Sequence, residues 1–131
     1  MEKNNPVSVP ASKKLKILLA EDDVINQKLF SYMLNEITEE LIIASTGVEA
    51  IKLFKENAGI DLILMDLKMP EMDGYQAAKH IRELDGVIKI FALSAFAPET
   101  QGDVMNGNEF NDYVGKPIRK AELLKAIEKH F

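Results

Sequence analysis

Four short runs in this chain carry almost no polar residue: Lys16–Ala20 (KILLA), Leu41–Ala44 (LIIA), Leu62–Met65 (LILM) and Lys89–Leu93 (KIFAL). A strand with one face in water alternates polar and apolar side chains. A run without that alternation has both faces covered, as in a parallel sheet between layers of helix. The segments between the runs read as those helices. Asp23 to Ile37 sets Ile25, Leu29, Met33 and Ile37 at i+4 steps, with Phe30 and Leu34 beside them, and predicts an inward stripe. Thr46-Gly47-Val48-Glu49 fits a capping box, followed by Ile51 and Phe54. Asp73 to Leu84 opens on an Asp cap with Gln76 three residues on, carries Ala77, Ala78, Ile81 and Leu84, and stops at Asp85-Gly86. Ile118 to His130 follows Pro117 and turns Leu123, Leu124 and Ile127 inward. Asp112–Val114 supplies a fifth short strand. Between Ala97 and Asn111, Gly102 and Gly107 predict a fourth helix that is short, irregular or mobile. Strands alternating with helices make βαβ units, hence an α/β fold with a doubly wound parallel sheet.

Composition narrows the chemistry. A chain of 131 residues suits one domain, here expected over 15–131. Met1 to Lys14, with two prolines and no periodicity, reads as a disordered tail or linker over 1–14. The absence of Cys excludes disulfides and thiolate zinc sites. A net charge of −5 with no basic cluster argues against direct nucleic-acid binding. No apolar run is long enough to span a membrane, and no apolar leader segment is visible, so no membrane contact and a cytoplasmic location are expected.

In doubly wound sheets, ligands bind beyond the carboxyl ends of the strands. The first run is followed there by Glu21, Asp22 and Asp23, and the third by Asp66. The fourth ends in Ser94-Ala95, and the fifth leads to Lys116-Pro117. Carboxylates gathered this closely repel unless a cation offsets them, and hard oxygen donors suit Mg²⁺. A divalent ion beside a lysine can receive a phosphoryl group, with Asp66 as carboxylate nucleophile and Ser94 as hydrogen-bond donor. Asp23 reads as a helix cap. His80 and His130 read as surface residues, and the six methionines as packing.

Together, "ILLAEDD", "LILMDLKMPEMDG", "ALSA" and "DYVGKP" resemble the motifs of response-regulator receiver domains, in order, from about Leu15 to the C-terminus. The resemblance implies the flavodoxin-like strand order 2-1-3-4-5 with helices on both faces. It implies Asp66 as phosphoacceptor, and Mg²⁺ held by Glu21, Asp22, Asp66 and the backbone carbonyl of Lys68. It assigns Ser94, the Ala95 backbone and Lys116 to phosphoryl binding, and Ser94 with Tyr113 to switching. The Lys116–Pro117 bond is expected to be cis. Lys68 and Phe96, two residues beyond Asp66 and Ser94, are expected to tune the acyl-phosphate lifetime. The implied donor is a histidine kinase or histidine phosphotransfer protein, with the domain catalysing its own modification. A downstream protein is expected on the face of fourth helix, fifth strand and fifth helix. Ala20-Glu21-Asp22 with Asn26-Gln27 resembles receivers attached to hybrid sensor histidine kinases. Two other readings stand beside this one. One is a phosphate-independent pseudo-receiver that only docks. The other is a Mg²⁺-dependent phosphohydrolase, disfavoured because Lys68 stands where one such class has a second Asp.

Overall fold

The computed structural model describes residues 14–95 and 109–131. The expected tail, apart from Lys14, lies outside these residues. So do Phe96 and most of the irregular helix expected before Asn111. Five parallel strands, β1 (Leu15–Ala20), β2 (Thr38–Ala44), β3 (Leu62–Asp66), β4 (Lys89–Ser94) and β5 (Asp112–Gly115), form one sheet in the order β2-β1-β3-β4-β5. The described helices are α1 (Val24–Leu34), α2 (Gly47–Glu56), α3 (Gly74–Leu84) and a last helix, α4 (Lys120–His130). This is the flavodoxin-like arrangement.

The apolar runs divide by parity. Leu18, Ala20, Ile63, Met65, Ile90 and Ala92 face α2 and α3, meeting Ala50, Ala77, Ala78 and Ile81. Their alternates Ile17, Leu19, Leu62, Leu64, Phe91 and Leu93 face α1 and α4, meeting Phe30, Met33, Leu34, Leu123 and Ile127. Each of the three central strands, β1, β3 and β4, therefore feeds two cores, which is why no polar residue breaks its middle.

Three expectations need correction. The inward stripe of α1 is carried by Phe30, Met33 and Leu34, while Ile25 is 76% and Leu29 46% exposed. Steps of i+4 advance about 40° round a helix beyond a full turn, so a stripe drawn only in such steps drifts off the buried face. The helix also ends at Leu34, and Asn35–Ile37 forms a 3-10 turn. His130 is not simply a surface residue. Its Nε2 lies 2.9 Å from Asp112 Oδ2, and its ring packs 5.1 Å from that of buried Phe91.

One structural device had no signal in the periodicity. The Arg82 guanidinium on α3 donates to the carbonyls of Ile88 (2.7 Å), Asp85 (3.3 Å) and Glu109 (2.7 Å) and to Asn111 Oδ1 (3.1 Å). It joins the exit of α3 to the entries of β4 and β5. Arg82→Ala leaves several carbonyls to find water, and a loss of about 2 kcal/mol is expected in urea unfolding.

Candidate functional site

The sheet register builds the site. Ala20, Met65, Ala92 and Tyr113 lie in one row across four strands. The next positions, Glu21 and Asp66, therefore leave the sheet at the same level, with Lys116 just beyond the end of β5. Glu21 continues the ladder, its N–H donating to the Ala44 carbonyl at 2.9 Å. Asp23 caps α1 by accepting from the Ile25 N–H at 2.8 Å, so its carboxylate is committed to the helix.

Glu21 and Asp66 are buried, at 1% and 4% exposure, whereas Asp22 is exposed. One oxygen from each lies within 4.8 Å of the others. Lys116 Nζ stands 2.9 Å from Asp66 Oδ2 and 3.5 Å from Glu21 Oε1. The second Asp66 oxygen accepts from the Lys68 N–H at 3.1 Å, and the second Glu21 oxygen from the Asp23 N–H at 3.1 Å. Two of the three carboxylates, Glu21 and Asp66, thus share one ammonium group.

Burial shifts the Glu21 carboxyl above the ordinary glutamate range, and the Asp66 charge adds to that rise; the Asp23 N–H and Lys116 oppose it. Burial would lower the Lys116 pKa, but the Asp66 hydrogen bond and the charges of Asp66 and Glu21 outweigh burial and raise it. The lysine stays charged, and the anionic side still exceeds it. A hard cation is the natural complement of such a donor set.

Ser94 is buried, and its carbonyl accepts from the Lys116 N–H at 2.8 Å and from the Tyr113 hydroxyl at 3.2 Å. The Lys116–Pro117 peptide is cis. A cleft of about 80 Å³ opens beside Asp66, lined by Leu67, Lys68, Leu93, Ser94 and Ala95. Glu21, Asp22, Asp66, Lys68, Ser94, Ala95 and Lys116 are therefore neighbours at one edge of the sheet. Tyr113 stands beside them, half-buried on β5. Phe96 lies outside the described residues.

Two supporting residues were not read as such from sequence. Gln27 Nε2 donates to the Glu21 carbonyl at 2.6 Å and reaches Ser45 Oγ at 3.4 Å. Asn26 hydrogen-bonds the Glu21 side chain. Beyond the family resemblance, Asn26-Gln27 carries no sequence signal of these contacts, because a polar residue on a helix signals a contact only when its neighbour is known. Gly74 is the other kind of support. A Cβ there would lie 2.3 Å from the Asp66 carbonyl oxygen, so α3 can begin directly under the strand end only with glycine.

Comparison with known proteins places this geometry among relatives. A family model described as a response regulator receiver domain matches residues 17–128. Hybrid signal transduction histidine kinase B of Dictyostelium discoideum is 37% identical over 129 residues, covering 88% of this chain and 6% of the relative. The chain thus corresponds to a small part of that protein's length. The receiver domain of a sensor histidine kinase from Pseudomonas aeruginosa, solved with a magnesium ion in its active-site cleft, is 30% identical with a TM-score of 0.79, covering 88% of this chain and 96% of that one. The receiver domain of Ssk1 from Saccharomyces cerevisiae, solved with the histidine phosphotransfer protein Ypd1, is 31% identical with a TM-score of 0.80, covering 88% and 87%.

Proposed function

Because the chain belongs to the response regulator receiver domain family, we propose that Asp66 accepts a phosphoryl group from a phosphohistidine on a protein partner and switches a binding surface in two-component signalling. The observation that carries this is the meeting of Glu21, Asp22 and Asp66 within 4.8 Å, with Lys116 against the two buried members.

The donor set fits Mg²⁺, which Glu21, Asp22 and Asp66 would hold through carboxylate oxygens and Lys68 through its backbone carbonyl. When bound, the ion supplies positive charge to carboxylates and phosphoryl oxygens alike. The residues do the rest. An Asp66 oxygen attacks phosphorus in line with the donor's P–N bond. The new O–P bond forms as the P–N bond breaks, and its electron pair leaves on the imidazole nitrogen. Lys116, held charged, turns from Asp66 toward a phosphoryl oxygen. The Ser94 hydroxyl and the Ala95 N–H donate to the others. The cleft beside Asp66 has room for about two or three waters, which suits a phosphoryl group rather than a large substrate.

A protein donor needs somewhere to rest. Val24, Ile25, Leu29 and Tyr32 on α1 expose 58%, 76%, 46% and 75% of their surface next to the acidic pair. These are the apolar residues that the core leaves out, and they suit a helical donor surface such as a phosphotransfer protein. The output side follows from Ser94 and Tyr113. Drawing Ser94 toward the phosphoryl group frees space into which Tyr113 turns, and the face of β5 and α4 changes shape for a downstream protein. Lys68, exposed at the cleft, and Phe96 are positions where the acyl-phosphate lifetime is tuned. Among the described residues no helix is long and apolar enough to cross a membrane, and the location that suits this reading is the cytoplasm.

Acetyl phosphate with Mg²⁺, followed by intact mass and peptide mapping, tests the reading. One phosphoryl group on the peptide containing Asp66, absent when the metal is chelated, is expected. No gain at any donor concentration would favour a pseudo-receiver.

A further inference from the structure

The loop between β3 and α3 has an unusual shape and packs closely on a residue from a different helix. Glu71 has φ +71°, and the Met72 N–H donates to the Pro70 carbonyl at 2.8 Å. A bond from residue i+2 to i around a positive φ is the rarer, strained kind of γ-turn. Such strain persists only where the surroundings enforce it. On one side the turn is bounded by Gly47, the buried first residue of α2, whose missing Cβ lets the Met72 carbonyl approach. A Cβ built there would lie 2.3 Å from the Met72 carbonyl oxygen and 3.0 Å from the Met72 carbonyl carbon. These are backbone atoms and cannot rotate aside.

The far end of the loop cannot yield either. The Gly74 N–H is bonded to the Leu67 carbonyl at 3.1 Å, and Gly74 itself is seated on the Asp66 carbonyl. Asp73 is committed as the cap of α3, accepting from the Gln76 N–H at 3.0 Å. A push at Met72 must therefore be taken up between Lys68 and Glu71. That segment carries the Lys68 carbonyl.

We propose that Gly47 is a positioning residue for the metal site: through Met72 and the turn at Glu71 it sets where the Lys68 carbonyl stands relative to Asp66 and Asp22. This rests on the reading of Lys68 as a metal ligand. Helix α2 offers no side chain to the acidic cluster, yet its first backbone unit limits how far the ligand-bearing loop can retreat. Outer contacts that orient ligands commonly govern affinity by a factor of about 10–100.

The test is Mg²⁺ affinity by calorimetry, with folding checked by circular dichroism at low temperature. Gly47→Ala is expected to bind Mg²⁺ about tenfold more weakly while still folded. In the metal-free protein it should shift the Lys68 amide resonance. Adding Glu71→Gly, which lets the turn absorb the displacement, should recover part of the affinity; because glycine at a positive φ also steadies the fold in general, the recovery is read from the binding constant of the folded protein and not from its thermal midpoint. A folded Gly47→Ala that binds within twofold of the parent, with the Lys68 resonance unmoved, overturns the proposal. If Gly47→Ala does not fold, the parent answers instead: Mg²⁺ should move the Gly47 and Met72 amide resonances together with Lys68, and unmoved Gly47 and Met72 resonances at saturation overturn it. A parent that binds no Mg²⁺ fails the metal-site reading itself, a result distinct from a parent that binds and a variant that binds equally.

Discussion

Asp66→Asn takes up no phosphoryl group from acetyl phosphate and Mg²⁺, although the protein stays folded. The carboxamide oxygen can still accept from the Lys68 N–H, which lies 3.1 Å from Asp66 Oδ1. Lys116 keeps Glu21, 3.5 Å away, as its partner. What disappears is the nucleophile, since an amide oxygen does not displace an imidazole from phosphorus under these conditions. The loss in labelling is therefore complete, while the thermal midpoint moves by only a few degrees. Intact mass and a thermal scan on one preparation check both halves. A variant that still gains mass would show that Glu21 or Asp22 can accept the group, and the assignment of Asp66 would fall.

Lys116→Ala is expected to damage both stability and transfer. Removing one partner from a buried pair costs about 3–5 kcal/mol, because the other charge is left uncompensated. The Lys116 side chain is 25% exposed, so the lower end of that range applies. Glu21 makes the loss depend on pH. Its carboxyl already sits above the ordinary value of 4.5, and Lys116 is one of the groups holding it down. Without the lysine it rises further. A raised carboxyl binds its proton more tightly in the folded state than in the unfolded one. It therefore lowers stability above its folded pKa and returns that stability as pH falls through it. The deficit of Lys116→Ala in metal-free urea unfolding should be largest at neutral pH and narrow on acidification into the range just above 4.5. Transfer should slow about 10²–10³-fold, the usual scale for losing one donor aimed at developing charge. A deficit unchanged across that range would mean that the lysine does not govern Glu21.

Much of this was legible before any coordinates. Strands buried on both faces leave a plain trace, because two cores demand apolar residues at every position, as in Leu62 to Met65. The site was legible for a related reason. Once parallel strands are inferred, the residues just past their carboxyl ends must be neighbours, so Glu21, Asp66 and Lys116 could be brought together from positions up to 95 residues apart. The face of α1 is not legible in the sequence because six apolar residues, Val24, Ile25, Leu29, Phe30, Met33 and Leu34, offer more than one stripe, and only contact with the sheet selects Phe30, Met33 and Leu34. Gly47 and Arg82 were illegible for opposite reasons. A glycine's role is the atom it lacks, visible only beside the carbonyl it spares. Three of the arginine's four acceptors are main-chain oxygens, which every residue possesses and no sequence pattern marks.

The clamp made by Arg82 also bears on the order in which the molecule assembles. Its bonds to Glu109 and Asn111 bridge 27 and 29 residues, farther than a helix or a single turn can reach. Closing so long a loop carries an entropic cost that early folding seldom meets, so these bonds are expected to form after the rate-limiting step. Truncating the guanidinium should then hasten unfolding and leave the refolding limb of a denaturant chevron nearly unchanged. The arginine acts as a latch on the finished protein, prolonging the life of the folded state without guiding the chain toward it.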